Sequence, residues 1–102
     1  MSETDVTVVR IYCSEKGHQH QKIIDLLHEQ HRVAGLTAFR GIAGFGHSGH
    51  LHEAGLLDVS LDLPVIIEFF DRTEKIAEVL TILKEMAGKA KILTWPAQAN
   101  LD

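Results

Sequence analysis

The spacing of apolar residues changes along the chain between strand-like and helix-like patterns, and this order predicts the elements of the first half. Residues 4–13 open with β-branched side chains, which is typical of a strand. Residues 20–34 repeat apolar positions every three or four residues and predict a helix. Gly35 follows where a left-handed C-terminal residue is favoured. Residues 36–45 then predict a second strand that ends among glycines.

The second half repeats this order of strand and helix. Residues 64–70 are strongly apolar and predict a third strand. Asp71 is then expected to be the N-cap of a second helix, because Glu74 stands three residues later at the spacing of a capping box. Gly88 is expected to end that helix.

A last strand is predicted over residues 90–95, with Pro96 stopping it. The resulting order β-α-β-β-α-β predicts an α+β, ferredoxin-like fold. Right-handed crossovers convert this order into a four-stranded antiparallel sheet of spatial order 4-1-3-2 with both helices on one face. We expect residues 1–102 to form a single domain, with a flexible polar loop over residues 47–62.

Both faces of this sheet carry apolar side chains, although the helices can cover only one. In the third strand Val65, Ile67 and Phe69 alternate with Ile66 and Phe70. A sheet with one solvated face shows a cleaner apolar–polar alternation. The pattern therefore predicts that self-association covers the second face.

Three lone charges interrupt these strands: Arg10, Arg40 and Glu68. In the expected strand order Glu68 can lie between the two arginines, as a carboxylate held by two guanidinium groups. The alternative is three unrelated charges near the edges of the sheet, and the sequence leaves both open because it does not determine strand register.

Composition narrows the classes of function. Acidic residues outnumber basic ones by 14 to 10, so nucleic acid is not an expected partner. No apolar run is long enough to cross a membrane, and the acidic N-terminus does not resemble a signal peptide. The single cysteine, Cys13, suits a reducing cytoplasm. No nucleophile–base or paired-carboxylate signature stands out, so we do not expect an enzyme.

The run Arg40-Gly41-Ile42-Ala43-Gly44-Phe45-Gly46 and the histidine-rich segment after it resemble the uncharacterised family called domain of unknown function 190, which is grouped with PII-like signalling proteins. Residues 63–68 and 9–12 are also similar to that family, and the likeness spans about residues 6–94. It implies a homotrimer with sheets facing the centre, and a regulatory loop after the second strand that signals to a partner protein such as a membrane transporter.

The resemblance also implies ligand clefts between subunits, at the base of that loop. The residues expected to bind a nucleotide or other small anion are Arg40, Gly41, Gly44, Phe45 and Gly46, with Lys89 and Lys91 reaching the cleft from a neighbouring subunit. The glycines have a second interpretation, a bulge or bend that releases the strand into the loop. The connection at residues 88–91 is shorter than the second glycine-rich turn of nucleotide-binding PII proteins.

An alternative function follows from the seven histidines of the chain. His47, His50 and His52 lie in one six-residue stretch inside the predicted loop. They can converge on a divalent transition metal such as zinc, copper or nickel. This predicts a metal-binding trimer similar to the CutA proteins. The other interpretation is a group of solvated histidines.

Overall fold

The computed structural model describes residues 3–14, 18–45, 52–53, 63–88 and 90–101. Within these ranges the strands are β1 (Thr4–Ser14), β2 (Gly35–Arg40), β3 (Ala43–Gly44), β4 (His52–Glu53), β5 (Pro64–Arg72) and β6 (Lys91–Ala99). The helices are α1 (Gln19–Asp25), continued by a π-helical turn (Leu26–Gln30), and α2 (Thr73–Met86).

Four strands form one antiparallel sheet in the order β2-β5-β1-β6. This is the 4-1-3-2 order expected from the sequence, so the ferredoxin-like α+β fold is confirmed. The short strands β3 and β4 pair with each other in a separate two-stranded ribbon. The ribbon follows β2 directly and thus forms part of the segment between β2 and β5.

One face of the sheet packs against both helices. Alternate residues of the two central strands have no more than 5% of their surface exposed, and they meet the apolar side of the helices in a single core. Its members are Val9, Ile11, Val65, Ile67 and Phe69 from the sheet, with Ile23, Leu27, Ile76, Val79 and Leu83 from the helical layer.

The first helix departs from the expected span of residues 20–34. It changes to π-helical geometry at Leu26–Gln30, and the backbone turns at Arg32, whose φ of 44° is left-handed. The expectation that Gly35 would occupy the left-handed position was therefore wrong. Gly35 instead begins β2, opposite Phe70, and a Cβ atom there would lie 2.8 Å from the Phe70 ring.

The expected capping box at the start of α2 was also wrong. Asp71 belongs to β5, and the N-cap residue is Arg72, which makes no side-chain capping bond. The Asp71 carboxylate accepts a hydrogen bond from the Ala34 backbone N–H at 3.0 Å and pairs with Lys75 at 3.2 Å. Both of these contacts are made by Oδ2, which thus ties β5 to the turn before β2, whereas Oδ1 accepts from the Arg72 backbone N–H at 2.7 Å.

Two strand ends differ from the prediction as well. β2 stops at Arg40, and the residues expected to extend it form the separate strand β3. The last strand does not stop at Pro96 but runs to Ala99, with Pro96 opposite Thr7. β6 is an edge strand, where a residue without a backbone N–H can be accommodated.

Candidate functional site: the open face of the sheet and the base of the loop

The second face of the sheet is uncovered in the single chain. The strand register places three rows of side chains across this face, from β2 through β5 and β1 to β6. We call this surface the open face, and its rows are Gly35–Phe70–Val8–Trp95, Thr37–Glu68–Arg10–Leu93 and Phe39–Ile66–Tyr12–Lys91. The outer rows are mostly apolar, whereas the middle row holds an ion pair.

Four large side chains on the open face remain substantially in contact with solvent. The exposed fractions are 37% for Tyr12, 46% for Phe39, 49% for Leu93 and 38% for Trp95. The three aromatic side chains present about 150–250 Å² each, so together with Leu93 they leave roughly 300 Å² of largely apolar surface uncovered. An exposed apolar patch of this size lies at the lower end of the largest patches that monomeric proteins expose, and such patches are often functional.

The ion pair at the centre of the open face joins Arg10 to Glu68. These residues are directly opposite each other on β1 and β5. Glu68 Oε1 accepts hydrogen bonds from Arg10 Nε at 3.0 Å and from the terminal NH2 group at 2.5 Å. Contact with Glu68, and next with Tyr12, raises the pKa of the Arg10 guanidinium above its ordinary value. The guanidinium carbon also lies 5.5 Å from the centre of the Trp95 ring, within cation–π range.

The register separates Arg40 from this ion pair. Arg40 pairs with Val65, and Glu68 pairs with Thr37 on the same strand. Val65 and Glu68 are three positions apart on β5 and thus point to opposite faces of the sheet. Of the three lone charges, the structure brings together Arg10 and Glu68 and places Arg40 at the end of β2, where the loop begins.

The base of the loop is built on close contact between two glycines and a proline. The Gly41 backbone N–H donates to the Pro64 carbonyl at 2.7 Å. A Cβ atom at Gly41 would lie 2.6 Å from Pro64 Cγ, and one at Gly44 would lie 3.0 Å from the same atom. Both residues are needed as glycines because the backbone passes directly over the proline ring. This favours the bend interpretation of these glycines and does not require an anion to explain them.

Two large apolar side chains project from this base. Ile42 is 81% exposed and Phe45 is 73% exposed, on either side of β3. The β3–β4 ribbon, with Gly44 opposite His52, therefore presents apolar groups to solvent beside Arg40. The expected ligand residues Arg40, Gly41, Gly44 and Phe45 are thus adjacent.

Lys91 lies at the same end of the sheet but on the opposite edge. It begins β6 and pairs with Tyr12, next to the row that contains Val65 and Arg40. Since strands are about 4.8 Å apart, Arg40 and Lys91 are separated by roughly 14 Å across three strand spacings. Within one subunit the two cations do not approach the same small ligand.

The remaining expected site residues fall outside the described residues or are described only as backbone. Gly46, Lys89, His47 and His50 lie outside them, and His52 is described only through the pairing of β4. Within the described part of the chain, no three histidine, cysteine or carboxylate side chains gather as a metal site. The same residues include no helix long and apolar enough to cross a membrane.

Sequence reasoning missed the contribution of Pro64 to the site. Pro64 was interpreted only as the start of a strand, yet its ring is what the two glycines contact. A signal was present, because glycines at positions 41 and 44 at the end of one strand and a proline at the start of its neighbour can meet once the strands pair. The contact of Trp95 with Arg10 depends on strand register and had no comparable signal.

A family model matches nearly the whole chain. The DUF190 model, described as an uncharacterized ACR, matches residues 6–99. A UPF0166 protein of Aquifex aeolicus is 31% identical over 86 residues, which cover 80% of this chain and 79% of that protein. A UPF0166 protein of Methanocaldococcus jannaschii is 34% identical over 83 residues, which cover 78% and 76%. These matches confirm the resemblance drawn from the glycine-rich segment.

Solved structures share the fold at low sequence identity. CPII from Thiomonas intermedia K12, bound to ADP and bicarbonate, superposes with a TM-score of 0.73 at 19% identity and covers 96% of this chain and 91% of its own. A putative PII-like signaling protein from Thermus thermophilus gives 0.65 at 14% identity, with 97% and 91% covered. The divalent cation tolerance protein CutA from Archaeoglobus fulgidus gives 0.63 at 20% identity, with 93% and 86% covered.

Proposed function

Because the chain belongs to the DUF190 (UPF0166) family and has a PII-like fold, we propose that it is a cytoplasmic, non-catalytic ligand-sensing protein. It acts as a homotrimer that binds a small anionic ligand in clefts between subunits. The bound ligand orders segment 47–62, which then docks on or leaves a partner protein such as a transporter. The observation that carries this proposal is the uncovered, largely apolar open face, which other copies of the chain would cover.

Assembly through the open face also explains the position of its ion pair. Arg10 and Glu68 satisfy each other within one chain, with Trp95 against the guanidinium. An ion pair that is already hydrogen-bonded can be covered at lower cost than an isolated charge. A trimer would therefore bury the apolar rows around a pair that is prearranged for burial.

Assembly would also complete the ligand site. Arg40 and Lys91 lie at the same end but on opposite edges of the sheet. In a closed ring, the β2 edge of one subunit can adjoin the β6 edge of the next, which brings Arg40 and its neighbour's Lys91 to one cleft. Each of the three clefts then holds a cation from either side, an arrangement suited to an anion.

The comparison with CPII supports an anionic ligand. CPII is described in complexes with ADP and bicarbonate, and also with ADP, AMP and acetate. In this chain α2 ends at Met86 and β6 begins at Lys91, so the connection that could wrap around phosphates is only four residues long. We propose that binding here depends chiefly on the Arg40 side of the cleft and on the neighbour's lysine, with ADP or bicarbonate as the class of ligand.

A subunit-mixing experiment tests this arrangement. Arg40→Ala and Lys91→Ala should each weaken ADP binding at least tenfold, measured by calorimetry with and without bicarbonate, because each loses a charged contact. Lys84→Ala, on the exposed surface of α2, is the control and should bind as the parent protein does. Refolding the two site variants together at equal amounts should restore about one quarter of the clefts, since random mixing pairs an intact Arg40 with an intact Lys91 at that frequency.

Other results would reject the intersubunit cleft. If both single variants bind ADP as tightly as the parent protein does, neither Arg40 nor Lys91 belongs to the ADP site. If both variants bind ADP more weakly and their mixture recovers no binding, the two residues either belong to a site within one subunit or lie outside any site. Either outcome leaves the fold and the family unaffected.

Metal binding is the competing function, suggested by the loop histidines and by the shared fold with CutA. Zinc or copper added to untagged protein would then bind in stoichiometric amounts and be lost when His47, His50 and His52 are replaced by alanine. ADP binding that survives this replacement would support the anion proposal. Tight metal binding without any response to ADP or bicarbonate would favour the metal-binding function instead.

A further inference from the structure

A second concave site lies at the opposite end of β2 from the loop base. It is a cleft of about 490 Å³ between the π-helical turn and the start of β2. Its apolar surface comes from Ile24, Leu27, Val33 and Leu36, and the Arg32 guanidinium and the His28 imidazole also line it. Arg32 precedes β2 and Arg40 ends it. Because β2 spans roughly 17 Å, the cleft is separate from the site proposed above.

The cleft lies beside an unusual end of the first helix. The π-helical turn adds a residue to the last turn, and the His31 and Val33 N–H groups donate to the Leu26 and Leu27 carbonyls, each at 3.2 Å. Single π-helical turns within α-helices occur frequently at functional sites. Here the turn and the start of β2 both contribute residues to the lining of the cleft.

The backbone of this turn is held in place from the other side. Lys75 Nζ donates to the Arg32 carbonyl at 3.0 Å, and the Ala34 N–H donates to Asp71 at 3.0 Å. Asp71 is only 7% exposed and is paired with Lys75. Its negative charge is therefore compensated by Lys75, and Asp71 is not among the residues that line the cleft beside Arg32.

Arg32 occupies a position that would suit glycine better. Its φ of 44° lies in the left-handed region that an L side chain adopts at a cost of about 1 kcal/mol or more. Helices commonly end with glycine at this position, yet the chain has arginine here and a glycine three residues later. The side chain is exposed, and the contact that ties this residue to the fold is made by its backbone carbonyl.

We propose that this cleft binds a small amphipathic carboxylate. The carboxylate would pair with the Arg32 guanidinium beside His28, and the apolar part would lie on Leu27, Val33 and Leu36. The charge of the rim is complementary to such a ligand, because the described residues that line the cleft include no acidic side chain. The volume falls within the range of about 300–1,000 Å³ that is typical of small-molecule sites. This inference does not depend on the trimer or on nucleotide binding.

The experiment uses octanoate as the probe and follows backbone amides by NMR in the full-length protein. Octanoate should shift amides of residues 24–36, and octanol of the same chain length should bind at least tenfold more weakly, because it lacks the charge. Arg32→Gly is the informative variant, since glycine suits the left-handed backbone and should keep the protein folded. It should weaken octanoate binding at least tenfold.

Lys22→Ala is the matched control, since it removes an exposed cation from the same helix outside the cleft. It should bind octanoate as the parent does. Equal octanoate affinity in the Arg32→Gly variant, or equal affinity for octanol and octanoate, would overturn the proposal. Shifts confined to the open face would overturn it too, and a circular-dichroism spectrum of each variant confirms that any loss of binding is not a loss of fold.

Discussion

The contact between Gly41 and Pro64 makes a quantitative prediction for Gly41→Ala. The new Cβ atom would lie 2.6 Å from Pro64 Cγ, whereas carbon atoms at ordinary contact are at least about 3.5 Å apart. The backbone or the proline ring must therefore shift by about 1 Å, and forced shifts of this kind typically cost about 1–3 kcal/mol. Alanine also restricts the unfolded chain, which returns about 0.4–1 kcal/mol. We expect the free energy of unfolding to fall by about 0.5–2 kcal/mol.

A double-mutant cycle with Pro64→Ala isolates this contact. Urea unfolding at fixed protein concentration would be measured for the parent protein, each single variant and the double variant. In the Pro64→Ala background, Gly41→Ala should cost less than about 0.5 kcal/mol, because the ring carbon it meets is gone. Gly44→Ala, whose Cβ would lie 3.0 Å from the same ring atom, should be destabilising by a smaller amount than Gly41→Ala. A Gly41→Ala variant as stable as the parent, or a loss of the same size in both backgrounds, would refute the explanation of these glycines.

Further predictions concern Asp71 and Cys13. Asp71→Asn should lower the free energy of unfolding by about 1.5–3 kcal/mol in urea titrations, because it weakens buried contacts to Lys75 and the backbone. Glu74→Ala should change this free energy by less than about 0.5 kcal/mol. A larger loss for Glu74→Ala than for Asp71→Asn would instead support a capping box at the start of α2. Burial raises the pKa of the Cys13 thiol, so the folded state favours the neutral form. Its contribution to stability is present below the unfolded pKa of about 8.5 and is lost as pH rises through the folded pKa. The stability of the parent protein should therefore fall more steeply than that of Cys13→Ala above about pH 8.5, and parallel curves would contradict this.

The fold could be predicted because its main determinants are periodic. Apolar residues alternate in the central strands and recur at helical spacing in α2, and these patterns specified the element order and the sheet topology. The two apolar faces of β5 likewise predicted the open face, which the exposure of Phe39 and Trp95 confirms. Such features depend on many residues at once, so no single unusual position changes the outcome.

The errors fall at the ends of elements, where one local signal competes with tertiary contacts. Asp71 has a suitable spacing for an N-cap, but its carboxylate is engaged by Lys75 and by the turn before β2. Pro96 is a helix and strand breaker in most contexts, yet it is tolerated within the edge strand β6. The left-handed residue at the end of the first helix is Arg32, against the usual preference for glycine. No local pattern contains the information that decides these three positions.

Prediction of the site was limited by register and by assembly. The sequence indicated Arg10, Arg40 and Glu68 as related charges, but only the register shows that Glu68 is opposite Arg10 and that Arg40 is opposite Val65. The distance between Arg40 and Lys91 across the sheet similarly required the strand order. Because of this separation, the two cations can contact one small ligand only if they come from neighbouring subunits.

The central claim is that the open face is covered by other copies of this chain. Native mass spectrometry of the untagged protein at micromolar concentration tests it most directly, with Phe39→Glu as the comparison variant because Phe39 is 46% exposed on that face. We predict that the parent protein has three times the mass of one chain. Phe39→Glu should be mainly monomeric while keeping the circular-dichroism spectrum of the parent. A parent protein that is monomeric across the concentration range, or a Phe39→Glu variant that still forms trimers, would contradict the account.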